Sequence, residues 1–275
     1  MKRTLLLISI LFFIAQVQAA KLDTIDTYSD AMKKTIPALI ITPDNYTSGK
    51  EYPVIYLLHG AGGTYNQFLT MNRNIPDLAD VYNLIIVCAD GGNTSWYYDS
   101  PVDPAWKYET YITKELVPLI DKNYKTIKGR TGRAISGLSM GGHGAMYLAF
   151  RHQDIFGAVG SMSGGVDIRP FPKNWDMAKR LGAYAEFPEN WEKNTVTNML
   201  HLLTANSLSI IFDCGTEDFF YKVNRELHEK MVERNIPHDY TERPGNHSGP
   251  YWANAINYQV LYFNLYFKKN TVALK

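Results

Sequence analysis

Short apolar runs alternate along this chain with segments in which apolar residues recur at helical spacing. The apolar runs predict strands at residues 35–41, 53–58, 84–88, 133–136, 156–161, 208–213 and 239–242. The helical spacing predicts helices at residues 105–122, 140–151, 223–234 and 252–267. Strands that alternate with helices predict an α/β fold, with a mostly parallel central sheet and helices on both faces. Ligand sites in such folds lie at the carboxyl ends of the strands.

One long segment, residues 164–206, has no clear periodicity and carries three large aromatic side chains, Trp175, Tyr184 and Trp191. We expect it to form a small cap-like insertion. No repeat, low-complexity stretch or linker divides the rest of the chain, so we expect residues 20–275 to form a single catalytic domain.

The N-terminus has the pattern of a secretory signal peptide. Lys2 and Arg3 precede a strongly apolar run at residues 5–15, which is followed by small residues up to Ala20. The apolar run is 11 residues long, whereas a membrane-spanning helix needs ~20. We therefore predict a cleaved signal at residues 1–19, a secreted or periplasmic protein, and no stable membrane insertion.

Charge and cysteine content narrow the range of partners. Lys and Arg total 28 against 27 for Asp and Glu, with no block of one sign, so we expect no nucleic-acid partner. Cys88 and Cys214 each follow an apolar run predicted to be a buried strand. Those strands are expected several positions apart in the sheet, beyond the reach of a disulfide, which predicts two buried free thiols.

The sharpest motif is G-L-S-M-G-G at residues 137–142, which follows a predicted strand and precedes a predicted helix. A serine on such a tight turn needs neighbours without side chains, because its Oγ must project while strand and helix pack closely. Gly137 and Gly141 meet that need, which makes Ser139 the candidate nucleophile. The amide of Met140 would supply one oxyanion donor, and Ala61, in the H-G-A-G-G stretch at residues 59–63, the second.

A serine nucleophile needs a base, and in this arrangement an acid and then a histidine follow it in the chain. His247 lies in a loop after the last predicted strand and is our candidate, whereas His201, His228 and His238 occupy less suitable positions; His228 begins an H-E pair that lacks a second zinc-ligating histidine. Asp218, 29 residues before His247, is our candidate acid. Asp213 and Glu217 remain as alternatives.

These motifs, together with G-T-E-D at residues 215–218 and P-G-N-H at 244–247, resemble the esterase D group of α/β-hydrolases. That group includes feruloyl and acetyl xylan esterases, tributyrin-type esterases, S-formylglutathione hydrolases and mycolyltransferases. The resemblance covers about residues 30–268. It implies an α/β-hydrolase fold, ester hydrolysis through an acyl-enzyme, a triad of Ser139, Asp218 and His247, and an oxyanion hole from Ala61 and Met140.

The resemblance and the predicted export together favour removal of feruloyl or acetyl groups from plant-derived oligosaccharides. The alternatives are a broad short-chain carboxylesterase, including siderophore-ester cleavage, then an S-formylglutathione hydrolase or an acyltransferase, and a non-catalytic binding protein on the same scaffold. Aromatic residues cluster at 96–98, 219–221 and 251–252, and we expect Trp96 and Trp252 to contact substrate. We expect neither a cofactor nor a metal ion, and the sequence does not indicate an oligomeric state.

Overall fold

The structure, a computed structural model, describes residues 19–272. In that part of the chain, eight strands form one sheet in the order β1-β2-β4-β3-β5-β6-β7-β8. The strands are β1 (Lys21–Ser29), β2 (Lys34–Thr42), β3 (Val54–Leu58), β4 (Ile85–Ala89), β5 (Arg133–Gly137), β6 (Ala158–Met162), β7 (Ser209–Gly215) and β8 (Asp239–Arg243). Six neighbouring strands of the sheet run parallel to one another, in the order β4-β3-β5-β6-β7-β8. Strand β2 is antiparallel to both β1 and β4. The sheet is therefore mostly parallel, as predicted.

Helices cover both faces of this sheet. They are α1 (Gln67–Met71), α2 (Ile75–Tyr82), α3 (Tyr108–Thr110), α4 (Val117–Asn123), α5 (Met140–Arg151), α6 (Met177–Leu181), α7 (Pro188–Lys193), α8 (Tyr221–Glu233) and α9 (Gly249–Val272). A π-helical segment, Tyr111–Leu116, joins α3 to α4, so that the three run continuously where one regular helix is predicted. None of the helices in residues 19–272 combines the length and the apolar character needed to cross a bilayer.

Burial on both sides of the sheet explains the continuous apolar runs. In β3, Val54, Tyr56 and Leu58 join one hydrophobic cluster, while Ile55 and Leu57 join a second cluster on the opposite face. The first cluster includes side chains of α5 and α8, and the second includes side chains of α2 and α9. Successive strand residues point to opposite faces, so a strand covered on both sides has no polar alternation.

The segment predicted as a cap, residues 164–206, contains the short helices α6 and α7 and two 3₁₀ turns, Val196–Asn198 and Leu200–Leu202. Tyr184 and Trp191 pack against each other inside it, with ring centroids 5.4 Å apart. Trp175 instead packs against Phe219 near the carboxyl end of β7. Trp191, with Met177 and Leu181 of α6, belongs to the first hydrophobic cluster of the sheet. The insertion therefore packs onto the main core and sends one of its three large aromatic residues towards the edge of the sheet where a site is expected.

Besides α6 and α7 in the cap, one strand and two helices are absent from the sequence prediction. Strand β1 is an exposed edge strand with few apolar residues, which pairs along its whole length with β2. Helices α1 and α2 are short, with 5 and 8 residues. Cys88 and Cys214 are buried and free, as predicted, on strands β4 and β7 that are separated by β3, β5 and β6. The predicted signal peptide lies, except for residue 19, outside the described residues.

Candidate active site

Ser139 lies at the turn between β5 and α5, in a backbone conformation that few residues adopt. Its φ is 57° and its ψ is −118°, a strained geometry that persists only where the surroundings impose it. A Cβ on Gly141 would lie 2.0 Å from the carbonyl oxygen of Leu58, and one on Gly137 would lie 2.3 Å from the oxygen of Gly141. Close packing of β5, α5 and β3 therefore forces the turn and requires glycine on both sides of Ser139.

His247 connects Ser139 to a buried carboxylate. Its Nδ1–H donates to Asp218 Oδ2 at 2.8 Å, and its Nε2 accepts from Ser139 Oγ at 2.9 Å. A carboxylate only accepts, so Asp218 fixes the tautomer that leaves Nε2 free to take a proton. The other oxygen of Asp218 accepts from the Phe220 amide at 2.8 Å. The structure thus brings the three predicted residues into one hydrogen-bonded chain.

The loops that carry Asp218 and His247 are joined through their backbones. The Thr216 amide donates to the Arg243 carbonyl and the Glu217 amide to the Gly245 carbonyl, each at 2.9 Å. A Cβ on Gly215 would lie 2.2 Å from that Gly245 oxygen, so the two loops pack without an intervening side chain. This contact holds the acid and the base in register at the carboxyl ends of β7 and β8.

The two alternative acids lie elsewhere. Glu217 is exposed. Asp213 is buried within β7, where it pairs with Arg243 Nη2 at 3.0 Å and accepts from Gln259 Nε2 at 2.9 Å. Burial raises the pKa of Asp213 to about 6, and the charge of Arg243 opposes that rise. Asp213 supports the base of the loop that carries His247 and makes no hydrogen bond with the imidazole.

The other histidines are bound in structural contacts. His201 contacts the Asn198 carbonyl, and His228 contacts His238 at 2.8 Å. His143 lies in the first turns of α5, fully buried among aromatic rings, and burial lowers its pKa to about 3. Its Nδ1 contacts the Gly165 carbonyl at 3.2 Å. His247 alone among the seven histidines contacts the Ser139 hydroxyl.

The two predicted oxyanion donors flank Ser139. Met140 is the first residue of α5, so its amide belongs to the unpaired N–H groups of a helix start. Ala61 lines the cleft beside Ser139, in a loop tied down by bonds from Gly62 N–H to Asn93 O and from Gly63 N–H to Gly60 O. Within residues 19–272, neither amide is used in a protein hydrogen bond. Both are available to a negative oxygen that forms next to Ser139.

Three residues that the sequence analysis did not identify hold the Ala61 loop. His59 is buried; its Nδ1–H donates to Gly60 O and its Nε2 accepts from Gly91 N–H, both at 2.8 Å. Tyr97 donates from its hydroxyl to the His59 carbonyl at 3.1 Å. Gln67 Oε1, from α1, accepts from the Gly60 amide at 2.8 Å. The histidine of the H-G-A-G-G stretch is the signal that could have pointed to this support.

The cleft at Ser139 has a volume of about 330 Å³ and largely aromatic walls. Trp175, Phe219 and Trp252 line it, as do Gly60, Ala61, Gln67, Leu138 and His247. Phe219 lies 4.2 Å from the His247 ring and Trp252 lies 4.8 Å from it, as centroid distances. Trp252 therefore lines the cleft, and its contact with substrate stays a prediction.

Trp96 does not reach the cleft. This side chain is 1% exposed and packs between His143 and Trp175, behind the wall of the cleft. The expectation that Trp96 contacts substrate is wrong for this structure, because the loop at residues 96–98 turns inward, with Trp96 and Tyr97 both at positive φ. Trp175 from the cap takes the position that we expected for Trp96.

The arrangement has the parts needed for nucleophilic attack on a carbonyl. A hydroxyl is bonded to a base, the base is oriented by a buried carboxylate, and two free amides lie beside the hydroxyl. Among residues 19–272, no group of three or more His, Cys, Asp or Glu side chains is arranged to bind a metal ion. The described residues thus provide an acid–base relay and an anion-stabilising pair.

The parallel sheet, the strained serine turn and the order serine, aspartate, histidine define an α/β-hydrolase. Residues 29–263 match the Esterase family, described as "Putative esterase", and the chain belongs to that family. This family match confirms the predicted family resemblance, and the sheet together with a related esterase structure confirms the predicted fold class.

An esterase of Mycobacterium tuberculosis is 33% identical over 236 residues, which cover 76% of this chain and 51% of that protein. The chain therefore spans about half the length of the mycobacterial esterases that it matches. An acetyl esterase of Caldicellulosiruptor saccharolyticus is 25% identical over 83% of this chain and 92% of its own length. The structure of a ferulic acid esterase has a TM-score of 0.77 and 30% sequence identity, and the match covers 90% of this chain and 98% of the other.

Proposed function

We propose that this protein is an exported serine carboxylic-ester hydrolase that removes feruloyl or acetyl groups from plant-derived oligosaccharides through an acyl-enzyme. The observation that carries the proposal is the hydrogen-bonded chain from Asp218 through His247 to Ser139. Relatives named as acetyl esterase and ferulic acid esterase support the choice of acyl group. The aromatic cleft supports it as well, because such walls suit a phenolic ring or the apolar face of a sugar.

The reaction follows from the positions of these groups. Ser139 Oγ attacks the ester carbonyl while His247 Nε2 takes the hydroxyl proton, and Asp218 stabilises the imidazolium that forms. The amides of Ala61 and Met140 donate to the developing oxyanion. The tetrahedral intermediate collapses, His247 protonates the departing alcohol oxygen, and an acyl-serine ester remains. Water, activated by the same His247, then attacks that ester and releases the carboxylic acid.

A fluorophosphonate probe tests the reactive serine. We expect the probe to add to Ser139 Oγ in the wild-type protein, as seen by peptide mass spectrometry, and the Ser139→Ala variant to stay unlabelled. Absence of labelling in the folded wild type would favour a non-catalytic binding protein on this scaffold.

Product release tests the substrate. We expect ferulate, p-coumarate or acetate to be released from acylated arabinoxylan oligosaccharides, measured by liquid chromatography. Activity confined to simple alkyl esters would contradict the proposed substrate and support a broad short-chain carboxylesterase. A panel of aryl and alkyl esters of increasing acyl length separates these two outcomes.

Export is tested by the mature N-terminus. We expect the protein recovered outside the cytoplasm to begin near Ala20, with residues 1–19 removed, when it is expressed with its own N-terminus and sequenced. A protein retained inside the cell with Met1 still present would contradict export.

A further inference from the structure

A second depression adjoins the cleft at Ser139. It has a volume of about 570 Å³ and lies between α1 and the start of α9. Gln67 and Trp252 line both depressions, so the two meet at these residues. We call the second depression the α1–α9 groove; its further lining is Gly62, Gly63, Thr64, Thr70, Met71, Gly249 and Pro250.

Contacts between α1 and α9 hold the two walls of the groove in a fixed position. Asn72 Nδ2, at the end of α1, donates to the Ala253 carbonyl of α9 at 3.3 Å. A Cβ on Gly249 would lie 3.6 Å from Met71 Cγ, an ordinary contact distance, so α1 and the start of α9 approach closely within the lining of the groove. The groove is thus preformed by packed helices, as ligand sites usually are.

The two depressions differ in chemistry. Around Ser139 the walls are the rings of Trp175, Phe219 and Trp252. The α1–α9 groove instead presents the exposed Thr64 and Thr70 and the amide of Gln67, beside the apolar surfaces of Pro250 and Trp252. A sugar presents hydroxyl groups at its edge and C–H groups on its face, which matches a mixed surface of this kind. The proposed acyl groups are a small acetyl group or a feruloyl group that is mainly an aromatic ring, and both fit the aromatic cleft.

The position of the base indicates which half of the ester enters the groove. The leaving alcohol must take its proton from His247 Nε2, so its oxygen must lie against that nitrogen. Gly249 and Pro250, two and three residues after His247, form one wall of the groove. Trp252, whose ring lies 4.8 Å from the His247 ring, forms the next part of that wall. The groove therefore begins at Trp252, next to the proton donor, whose imidazole itself lines the cleft.

From these observations we propose that the α1–α9 groove is the alcohol subsite, which binds the glycosyl units of an acylated oligosaccharide, while the cleft of Trp175 and Phe219 binds the acyl group. This subsite rests on the proposed function, since it requires a sugar ester as substrate. Thr64, Thr70 and Pro250 then determine the alcohol specificity, and Trp252 contacts both halves of the ester.

Two esters of one acyl group separate the subsites: feruloylated arabinoxylotriose and methyl ferulate. In the Thr70→Trp variant, an indole occupies the exposed side of the groove. We expect the ratio of kcat/KM for the sugar ester to kcat/KM for the methyl ester to fall about tenfold or more. An unchanged ratio overturns the subsite and leaves the hydrolase function intact.

The matched control is Thr131→Trp. Thr131 lines a depression of about 520 Å³ at the opposite end of the sheet, beside Ser209 and Asp239, the first residues of β7 and β8. We expect this variant to keep the wild-type ratio. A fall of the ratio in both variants would show that added surface bulk causes the effect and would overturn the subsite.

Titration calorimetry with unesterified arabinoxylotriose tests the groove without catalysis. We expect wild type and Thr131→Trp to bind the sugar and Thr70→Trp to lose that binding. If wild type binds the sugar but hydrolyses no sugar ester, the groove stands as a sugar-binding site, whereas the proposed function falls and with it the role of the groove as an alcohol subsite. If wild type hydrolyses the sugar ester and Thr70→Trp still binds the sugar as wild type does, the groove assignment falls and the function stands.

Discussion

Two histidine–carboxylate pairs of this protein have nearly equal nitrogen–oxygen distances, and their histidines line separate clefts. His247 lies 2.8 Å from Asp218, and His152 lies 2.7 Å from Glu109. The second pair lines a depression of about 380 Å³. By distance alone, the two pairs could serve the same chemistry.

What surrounds each pair separates them. Glu109 also accepts from Arg151 Nε at 2.9 Å and from the Tyr147 hydroxyl at 2.8 Å. In the same cleft, the Thr110 hydroxyl donates to Asp99 and the Thr113 hydroxyl to the Glu109 carbonyl, so neither is directed at His152. The far nitrogen of His247, by contrast, accepts from a serine whose backbone is strained into place. A catalytic site is thus defined by what lies beyond the second imidazole nitrogen.

Removal of each imidazole gives the largest expected contrast. His247→Ala removes the base, and we expect kcat for methyl ferulate to fall about 10⁴- to 10⁶-fold. His152→Ala removes one donor to Glu109, and we expect kcat to stay within about twofold while thermal stability falls. Steady-state kinetics and calorimetry on both variants check this, and a large loss of kcat in a folded His152→Ala protein would break the distinction.

Asp213, within β7, and Asp218, just after it, allow a test of which carboxylate orients His247. We expect Asp218→Asn to lower kcat about 10⁴-fold, because the amide no longer fixes the imidazole tautomer. Asp213→Asn should cost tenfold or less in kcat, about 1.4 kcal/mol at most. Asparagine resembles the protonated form that burial favours at Asp213, whose pKa is raised to about 6. The reverse order of the two losses would reassign the acid.

The amide pair beside Ser139 depends on the loop of Ala61, and Gln67 tests the support of that loop. Gln67→Met leaves the Gly60 amide without its acceptor and loosens the loop of Ala61. We expect kcat for methyl ferulate to fall about tenfold with KM changed about twofold or less, because the oxyanion is stabilised in the transition state alone. A rise of KM at constant kcat would show that Gln67 contributes only to binding.

The smallest effect on catalysis is expected at Glu109, where stability should respond instead. Burial raises the pKa of Glu109, but hydrogen bonds from His152, Arg151 and Tyr147 outweigh it and lower the pKa to about 2. The unfolded value is about 4.3, so this carboxylate stabilises the fold above that pH, and the contribution is lost as pH falls from about 4 to about 2.

At pH 6, the free energy of unfolding of Glu109→Gln should therefore be about 2 kcal/mol lower than that of wild type. The variant should also unfold at a lower temperature. The two unfolding temperatures should converge as the pH approaches 2. Calorimetry at a series of pH values follows both curves. A constant gap between them down to pH 2 would show that the Glu109 contacts do not depend on its charge.

The central strands could be predicted from the sequence because burial on both faces leaves long apolar runs. The helix that follows the nucleophile could be predicted because it begins directly after the motif that contains Ser139. The predicted helix at residues 140–151 has the observed bounds, Met140–Arg151. Strand β1 was not predicted, because its pairing with β2 rather than an apolar pattern makes it a strand. The π-helical segment was not predicted because the apolar residues there still fit the spacing of a regular α-helix.

The site divides in the same way. Asp218 and His247 could be predicted from their order in the chain after Ser139, because each follows a strand and the carboxyl ends of parallel strands meet at one edge of the sheet. The support of the Ala61 loop comes from Tyr97, which is 38 residues from His59, and from Gln67 of α1, a short helix absent from the sequence prediction. Trp96 was misplaced because a run of aromatic residues in a loop does not reveal which side of the loop faces the core. Trp96 and Tyr97 are both buried and both at positive φ, and no residue pattern indicates this.

The glycines around Ser139 also limit how this scaffold can diversify. With only 2.0 Å between a Cβ at Gly141 and the Leu58 carbonyl oxygen, the turn that carries the nucleophile admits no side chain at position 141. Variation is better tolerated in the walls of the cleft and of the α1–α9 groove. A library aimed at new esters would leave residues 137–141 untouched and randomise Thr64, Thr70, Trp175 and Phe219, which keeps the chemistry constant while the range of accepted molecules changes.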